Sequence, residues 1–216
     1  MLGILFSMKI LTIAPLLWLL SPVALADEAG EVSLFDGKSL TGWKPAKEAN
    51  AKYWSVVDGV ITGSNNGQKV PTNTYLVTEK VFGDFEFRCK FRISGDHKTG
   101  LINSGIQYRS LLRNGNIVGY QADIGRGYWG DIYDEHRRGK LVGGEVTKLM
   151  PILKEDGWND YLVRCKGDRH ELFINGVKTV DYTEKEDHPA EGVFGLQLHS
   201  GGVAKVEFKD ITIKEL

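Results

Sequence analysis

Cysteine is scarce in this chain: Cys89 and Cys165 are the only two in 216 residues. No Cys-x-x-Cys pair exists, which removes zinc ribbons and thioredoxin-type redox motifs. Both cysteines fall on the apolar phase of strand-like runs (Phe85, Phe87, Cys89, Phe91 and Tyr161, Val163, Cys165) and read as small buried hydrophobes. A bridge between them is the alternative, and it depends on a Cα separation that spacing alone does not give. An excess of one charge is also missing: 27 Lys and Arg stand against 28 Asp and Glu, a net charge of -1. Electrostatics therefore gives no reason to expect nucleic acid or an anionic membrane surface as partner. Several catalytic signatures are absent as well. There is no Gly-x-Ser-x-Gly elbow, no His-Glu-x-x-His helix, no Gly-rich phosphate loop after a strand, and no acidic calcium loop.

Long hydrophobic runs are missing too, with one exception. Lys9 is followed by the apolar run Ile10 to Leu20, then Ala24-Leu25-Ala26 and the acidic Asp27-Glu28. This is the pattern of a secretory signal with a small-residue cleavage site, assigned to residues 1–26. Met8 is an alternative start. A retained anchor is the rival reading, and the run is short for a membrane span. The expectation is an exported protein, periplasmic or extracellular, with no membrane span after cleavage. A short linker at 27–32 precedes one domain at 33–216.

What the chain does have is glycine (26), tryptophan (5), tyrosine (8) and phenylalanine (9). "DFEFRCKFRI" alternates strictly, with Phe85, Phe87, Cys89, Phe91 and Ile93 against Glu86, Arg88, Lys90 and Arg92. That is the period of a half-buried strand. Other runs share it, separated by Asp58-Gly59, Asn66-Gly67, Asn114-Gly115, Gly167-Asp168, Asn175-Gly176 and Gly201-Gly202. No segment after the leader sustains a 3.6-residue period; Ser110–Gly115 and Glu184–Pro189 are the places for one short helical turn. Many short antiparallel strands imply an all-β sandwich or barrel. The expected core holds Phe85, Phe87, Tyr108, Ile124, Val163, Phe173, Leu196, Leu198 and Phe208.

The polar phases of several strands form a second pattern. Gln107 and Arg109 alternate with Ile106 and Tyr108. Gln121 and Asp123 alternate with Tyr120, Ala122 and Ile124. Gln197 and His199 alternate with Leu196 and Leu198. These sets avoid lysine and favour side chains that make directional hydrogen bonds to hydroxyls. On a curved sheet they would meet on one concave surface, with Tyr128, Trp129 and Tyr133 at its rim as sugar platforms. Each residue taken alone has a plainer role: the glutamines as solvated strand positions, Arg109 and Asp123 as a cross-strand ion pair, His199 as a strand-end cap, Glu135-His136-Arg137-Arg138 as a charged loop. His97, His170 and His188 sit in turn-like or exposed alternating settings and receive no role.

Six separated motifs occur in order: "SLFDGKSLTGWK", "WSVVDGVITG", "NSGIQYRS", "GYQADI", "GWNDYLVRCKGDRHELFINGV" and "GVFGLQLHSG". On these the chain, from Ser33 to Leu216, resembles the 3-keto-disaccharide hydrolase family, also described as 3-keto-glucoside lyase and 3-keto-2-hydroxy-glucal hydratase. The resemblance implies a concanavalin A-like jelly-roll sandwich of two antiparallel sheets with the site on the concave one. One departure stands out: the commoner motif after Gly-Tyr reads Glu-x-Gln, and here it is Gln121-Ala122-Asp123. The carboxylate lies two positions later, so a base at the first position does not transfer.

The resemblance further implies a sugar whose C3 hydroxyl has been oxidised to a ketone, supplied by a sugar 3-dehydrogenase. The ketone acidifies the C2 proton. Cleavage then needs a base near neutral pKa, donors at the oxyanion and an acid for the leaving group. His199 is the first choice of base and Asp123 the second. Arg109 and Gln121 are the oxyanion donors, and Glu135 or His136 is the acid. Gln107, Trp129, Tyr133 and Gln197 complete the substrate contacts. No cofactor is required; a divalent metal held by His199 and carboxylates is an alternative electrophile. A non-catalytic carbohydrate-binding module and a structural exported domain are the competing classes.

Overall fold

The computed structural model describes residues 30–216. The leader assigned to 1–26 and the first part of the linker lie outside them. Fifteen strands follow in order: β1 (Glu31–Ser33), β2 (Trp43–Pro45), β3 (Trp54–Val57), β4 (Val60–Ser64), β5 (Thr74–Thr78), β6 (Phe85–Asp96), β7 (Asn103–Arg113), β8 (Asn116–Gly125), β9 (Ile132–Glu135), β10 (Gly139–Val142), β11 (Asn159–Lys166), β12 (Arg169–Ile174), β13 (Val177–Thr183), β14 (Val193–Leu198) and β15 (Val203–Glu215). One sheet has the order β13-β12-β11-β6-β15-β4-β3, with β1 added on β15; the other has the order β10-β9-β8-β7-β14-β5-β2. The pairings are antiparallel. Strand β1 pairs Glu31 to Ser33 with Lys214 to Thr212, so the end of the expected linker is part of the sheet.

Three hairpins turn where the sequence marks them. Asp58-Gly59, Asn114-Gly115 and Asn175-Gly176 all have both residues at positive φ, the conformation whose twist suits a two-residue hairpin. Between the sheets, Phe87 stacks on Phe194 at 4.6 Å and Phe85 meets the same ring edge-on at 4.6 Å. Such pairs add about 0.5–1.5 kcal/mol each beyond the area they bury.

Several expectations change. Phe173 is half-buried on the outer face, with the Lys178 ammonium 5.4 Å above its ring. The inward positions of β12 are His170, Leu172 and Ile174. His170 is therefore a core residue and not an exposed one. Its Nδ1 lies 3.1 Å from the Tyr108 hydroxyl, and burial pushes its pKa down to about 3. Neither expected helical turn forms: Ser110–Arg113 belongs to β7, and the helical element found among the described residues is the 3-10 turn Glu48–Tyr53. Cys89 and Cys165 are both free and buried. Cys89 faces Tyr161 and Cys165 faces Phe85 across the same strand pair, an offset of four residues or roughly 13 Å, far beyond bonding reach.

Arg109 departs furthest. Between Tyr108 and Leu111 the register with β8 shifts, and Arg109 takes φ 43°. This bulge breaks the two-residue alternation and re-aims the side chain. Arg109 is 1% exposed. Its guanidinium donates to Gly83 O at 3.0 Å, Gly167 O at 2.7 Å and Asp84 Oδ1 at 2.5 Å. It thus ties the second sheet to loops at one end of the first. Lysine keeps the charge but not this three-way fork. Arg109→Lys should cost about 2–3 kcal/mol and lower Tm by about 5–10 °C in a thermal melt. An unchanged melt combined with lost sugar binding would return Arg109 to the cleft.

Candidate active site in the trough of the second sheet

The register of the second sheet stacks its outward residues in rows. Tyr75 faces Gln197, and Gly105 faces Asp123; Gly195 faces Gln107, which faces Gln121, which faces Tyr133. Continuing the β14–β7 register sets Gly105 between Gln197 and Asp123. A Cβ at Gly105 would collide with the Gln121 side chain. The glycine makes the space into which that amide lies.

The sheet is strongly bent. Tyr75 on β5 and Glu135 on β9 are separated by three intervening strands, about 19 Å on a flat sheet. Tyrosine and glutamate side chains do not span that distance together. Yet the Tyr75 hydroxyl donates to Glu135 Oε1 at 3.2 Å. The outer face is therefore a trough. It holds a cleft of about 150 Å³. Asn103, Gln121, Asp123, Gln197 and His199 line it with Glu135, and Leu101, Tyr128 and Tyr133 complete its wall.

Seven side chains named from the sequence thus converge: Gln121, Asp123, Tyr128, Tyr133, Glu135, Gln197 and His199. Gln107 does not reach the cleft. It is 0% exposed and stands behind Gln121, to whose Oε1 its amide donates. Arg109 points to the other side of the sheet. Trp129 is no rim platform: it is buried against Phe91, with ring centroids 6.3 Å apart. Of the three aromatics expected at the rim, Tyr128 and Tyr133 do face the cleft. Asn103 and Tyr75 escaped the sequence reading. Asn103 continues the polar phase of Gly105 and Gln107, so the alternation carried that signal. Tyr75 lies in β5, whose residues are all buried, and no alternation marked it.

Asp123 is the most perturbed group in the cleft. Burial pushes its carboxyl up to about 8, and the neighbouring Asp131 and Glu135 push the same way, against the Gln121 hydrogen bond and the more distant Lys140. Lys140 itself lies 2.5 Å from Asp131. Asp123 Oδ1 accepts from the Gln121 amide, while Oδ2 is buried and unpartnered among the described residues. Gln197 Oε1 is in the same condition, its amide donating to the Tyr75 hydroxyl at 3.3 Å. Burial and the Glu135 charge raise the Tyr75 pKa, so Tyr75 is a neutral donor. His199 places Nδ1 2.7 Å from the Ser200 carbonyl. A carbonyl only accepts, so Nδ1 carries a proton, and in the neutral imidazole the lone pair is then on Nε2. Among the described residues, no group of three or more His, Cys, Asp or Glu side chains is arranged to hold a metal ion.

The chain matches the 3-keto-alpha-glucoside-1,2-lyase-like domain over residues 30–214. It belongs to that family. Among solved structures, a protein of Parabacteroides distasonis ATCC 8503, provisionally named a glycosyl hydrolase, is 23% identical with a TM-score of 0.63, over 87% of this chain and 94% of its own. The carbohydrate-binding module CBM66 of Bacillus subtilis is 15% identical with a TM-score of 0.60, over 81% and 96%. The exoplasmic/lumenal domain of VIP36, in a form bound to Ca²⁺ and Man3GlcNAc, is 11% identical with a TM-score of 0.59, over 87% and 88%. At these identities the likeness is one of fold: a concanavalin A-like jelly roll. No curated protein matches the chain. A 3-keto-glucoside lyase-like domain with a polar trough on this fold is a carbohydrate-related protein.

The Asp123 carboxyl also makes a stability prediction. The folded protein keeps a proton that the unfolded chain releases near pH 4, so stability falls as pH rises from there to about 8. Asp123→Asn removes that loss. Its Tm should match the parent near pH 4 and exceed it by several degrees at pH 8. Melts of both proteins across this range check it; parallel curves would mean an ordinary, ionised Asp123.

Proposed function

We propose that the trough cleaves glycosides of a 3-keto sugar by elimination followed by hydration. The observation that carries this reading is the pairing, in one cleft, of a proton-retaining carboxyl with an imidazole of fixed tautomer, presented from strands two apart in the sheet. His199 Nε2 takes the C2 proton. The C2–H electron pair forms a C2=C3 double bond and the negative charge moves to the C3 oxygen. When the ketone re-forms, the pair shifts to make C1=C2 and the C1–O bond breaks. The leaving oxygen takes a proton from the Glu135 side of the cleft, where Tyr75 supplies an adjacent hydroxyl. Water then adds across C1=C2, its oxygen to C1 and a proton to C2, so that the sum is hydrolysis. No strong nucleophile is required, which suits a cleft with no activated serine or cysteine. The substrate has to come from an enzyme that oxidises the C3 hydroxyl, and export directed by residues 1–26 belongs to the same reading. Sugar binding without turnover uses the same amides and tyrosines and is the competing role.

The test is turnover of 3-keto-sucrose and 3-keto-trehalose beside their unoxidised parents. His199→Ala should lose about a hundredfold to ten-thousandfold in rate without a change in melting temperature, because the residue follows the end of β14. The unoxidised sugars should be inert, since without the ketone the C2 proton is too weak an acid. Equal rates for wild type and His199→Ala remove His199 from the mechanism. Cleavage of the parents points to ordinary glycoside hydrolysis, and binding without cleavage to the lectin-like role.

A further inference from the structure

Elimination leaves negative charge on the C3 oxygen, and the wall of the cleft contains no lysine or arginine to meet it. The donor sought at Arg109 is on the far side of the sheet. What the cleft floor offers instead is a chain of hydrogen bonds that all run one way. Gln107 Nε2 donates to Gln121 Oε1 and Gln121 Nε2 donates to Asp123 Oδ1, while Ser110 Oγ lies 3.3 Å from Gln107 Oε1 and 3.0 Å from the Tyr108 carbonyl. Oδ1 is thereby fixed as an acceptor. Oδ2 has no partner, and beyond Gly105 lies the equally bare Gln197 Oε1. Two unpaired acceptors in a water-poor floor are costly. A proton on Oδ2 removes one of them and creates a donor, because a neutral carboxyl has one accepting and one donating oxygen.

We propose that Asp123 works as a neutral carboxylic acid with its proton on Oδ2, and that this O–H donates to the oxyanion formed at C3 of the bound sugar. Gln107, which touches no part of the cleft, is the positioning residue that sets the direction of the amide chain. The proton stays on Oδ2 while charge builds on the sugar, and no bond to Asp123 is made or broken. Burial and the neighbouring acids favour the neutral form and outweigh the Gln121 hydrogen bond and Lys140. Asp131 beyond β8 and Glu135 on β9 are both acidic. Tyr161 from the facing sheet donates its hydroxyl to the Asp123 backbone carbonyl at 3.3 Å. Lys140 on β10 is engaged by Asp131, and the His199 imidazole faces the cleft. Only the identity of the oxyanion rests on the elimination reading; the protonation state does not.

Carbon-13 NMR of the Asp123 carboxyl, assigned by its loss in Asp123→Asn, follows that state with no substrate present. A protonated signal at pH 6 that titrates near pH 8 is expected; an ionised signal at pH 6 overturns the proposal. Gln107→Met should move that titration and the alkaline limb of kcat together, with KM little changed. A titration unmoved in the folded variant overturns the positioning role. On 3-keto-trehalose, Asp123→Asn keeps a donor and should lose at most about tenfold, whereas Asp123→Leu should lose about a hundredfold or more. Equal losses overturn the donor role in favour of a base. An inactive wild type sinks the elimination reading and the oxyanion role with it, while the carboxyl titration still decides whether Asp123 is neutral.

Discussion

The hydrogen bond from Tyr75 to Glu135 joins side chains from strands that a flat sheet would hold about 19 Å apart. Everything chemical in this molecule follows from the bend that allows it. On a flat antiparallel sheet the outward phase faces water, and glutamines there are only solvated positions. Bent into a trough, the same phase loses its water. Gln107, Gln121, Asp123 and Gln197 then become as buried as the core, and each must find a partner or bear the cost of lacking one. Glycines sit at two crossing points of the trough, Gly105 and Gly195, where a side chain would run into its neighbours.

That burial sets the tension between stability and reactivity. A carboxyl that stays protonated to about pH 8 lowers the stability of the fold at neutral pH and above, and perturbed groups of this kind concentrate at functional sites. Three further features point to the same patch: the unpartnered Asp123 Oδ2, the unpartnered Gln197 Oε1 and the fixed tautomer of His199. The rest of the sandwich is conventional by comparison. Its core is a layer of phenylalanines and aliphatics, and the outer face of the other sheet carries ion pairs such as Arg92–Glu207 and Arg169–Asp181.

The bulge after Tyr108 divides the labour of β7. Before it, Gln107 belongs to the relay of the trough. After the change of direction, Arg109 crosses to the opposite side and fastens Gly83, Asp84 and Gly167. One strand thus serves the cleft with one residue and the sandwich with the next but one, and the two functions should respond separately to mutation.

The sequence by itself determined the strands, the hairpin turns and most of the core, because period-2 alternation and Asn-Gly or Asp-Gly pairs act locally. It also determined that Gln121, Asp123, Gln197 and His199 share a phase, and its motifs named the family. It had no means of placing Arg109 or Trp129, whereas His170 and Phe173 follow the unbroken alternation of β12, which sets His170 with Leu172 and Ile174 and Phe173 with Glu171. A bulge in β7 and a turn that sends Tyr128 outward and Trp129 inward are each decided by contacts with distant strands. Tyr75 was invisible for a related reason: its role exists only once the sheet is bent far enough to bring β5 to β9. Tertiary structure alone decided which polar side chains lose their water, and with it which carboxyl keeps its proton.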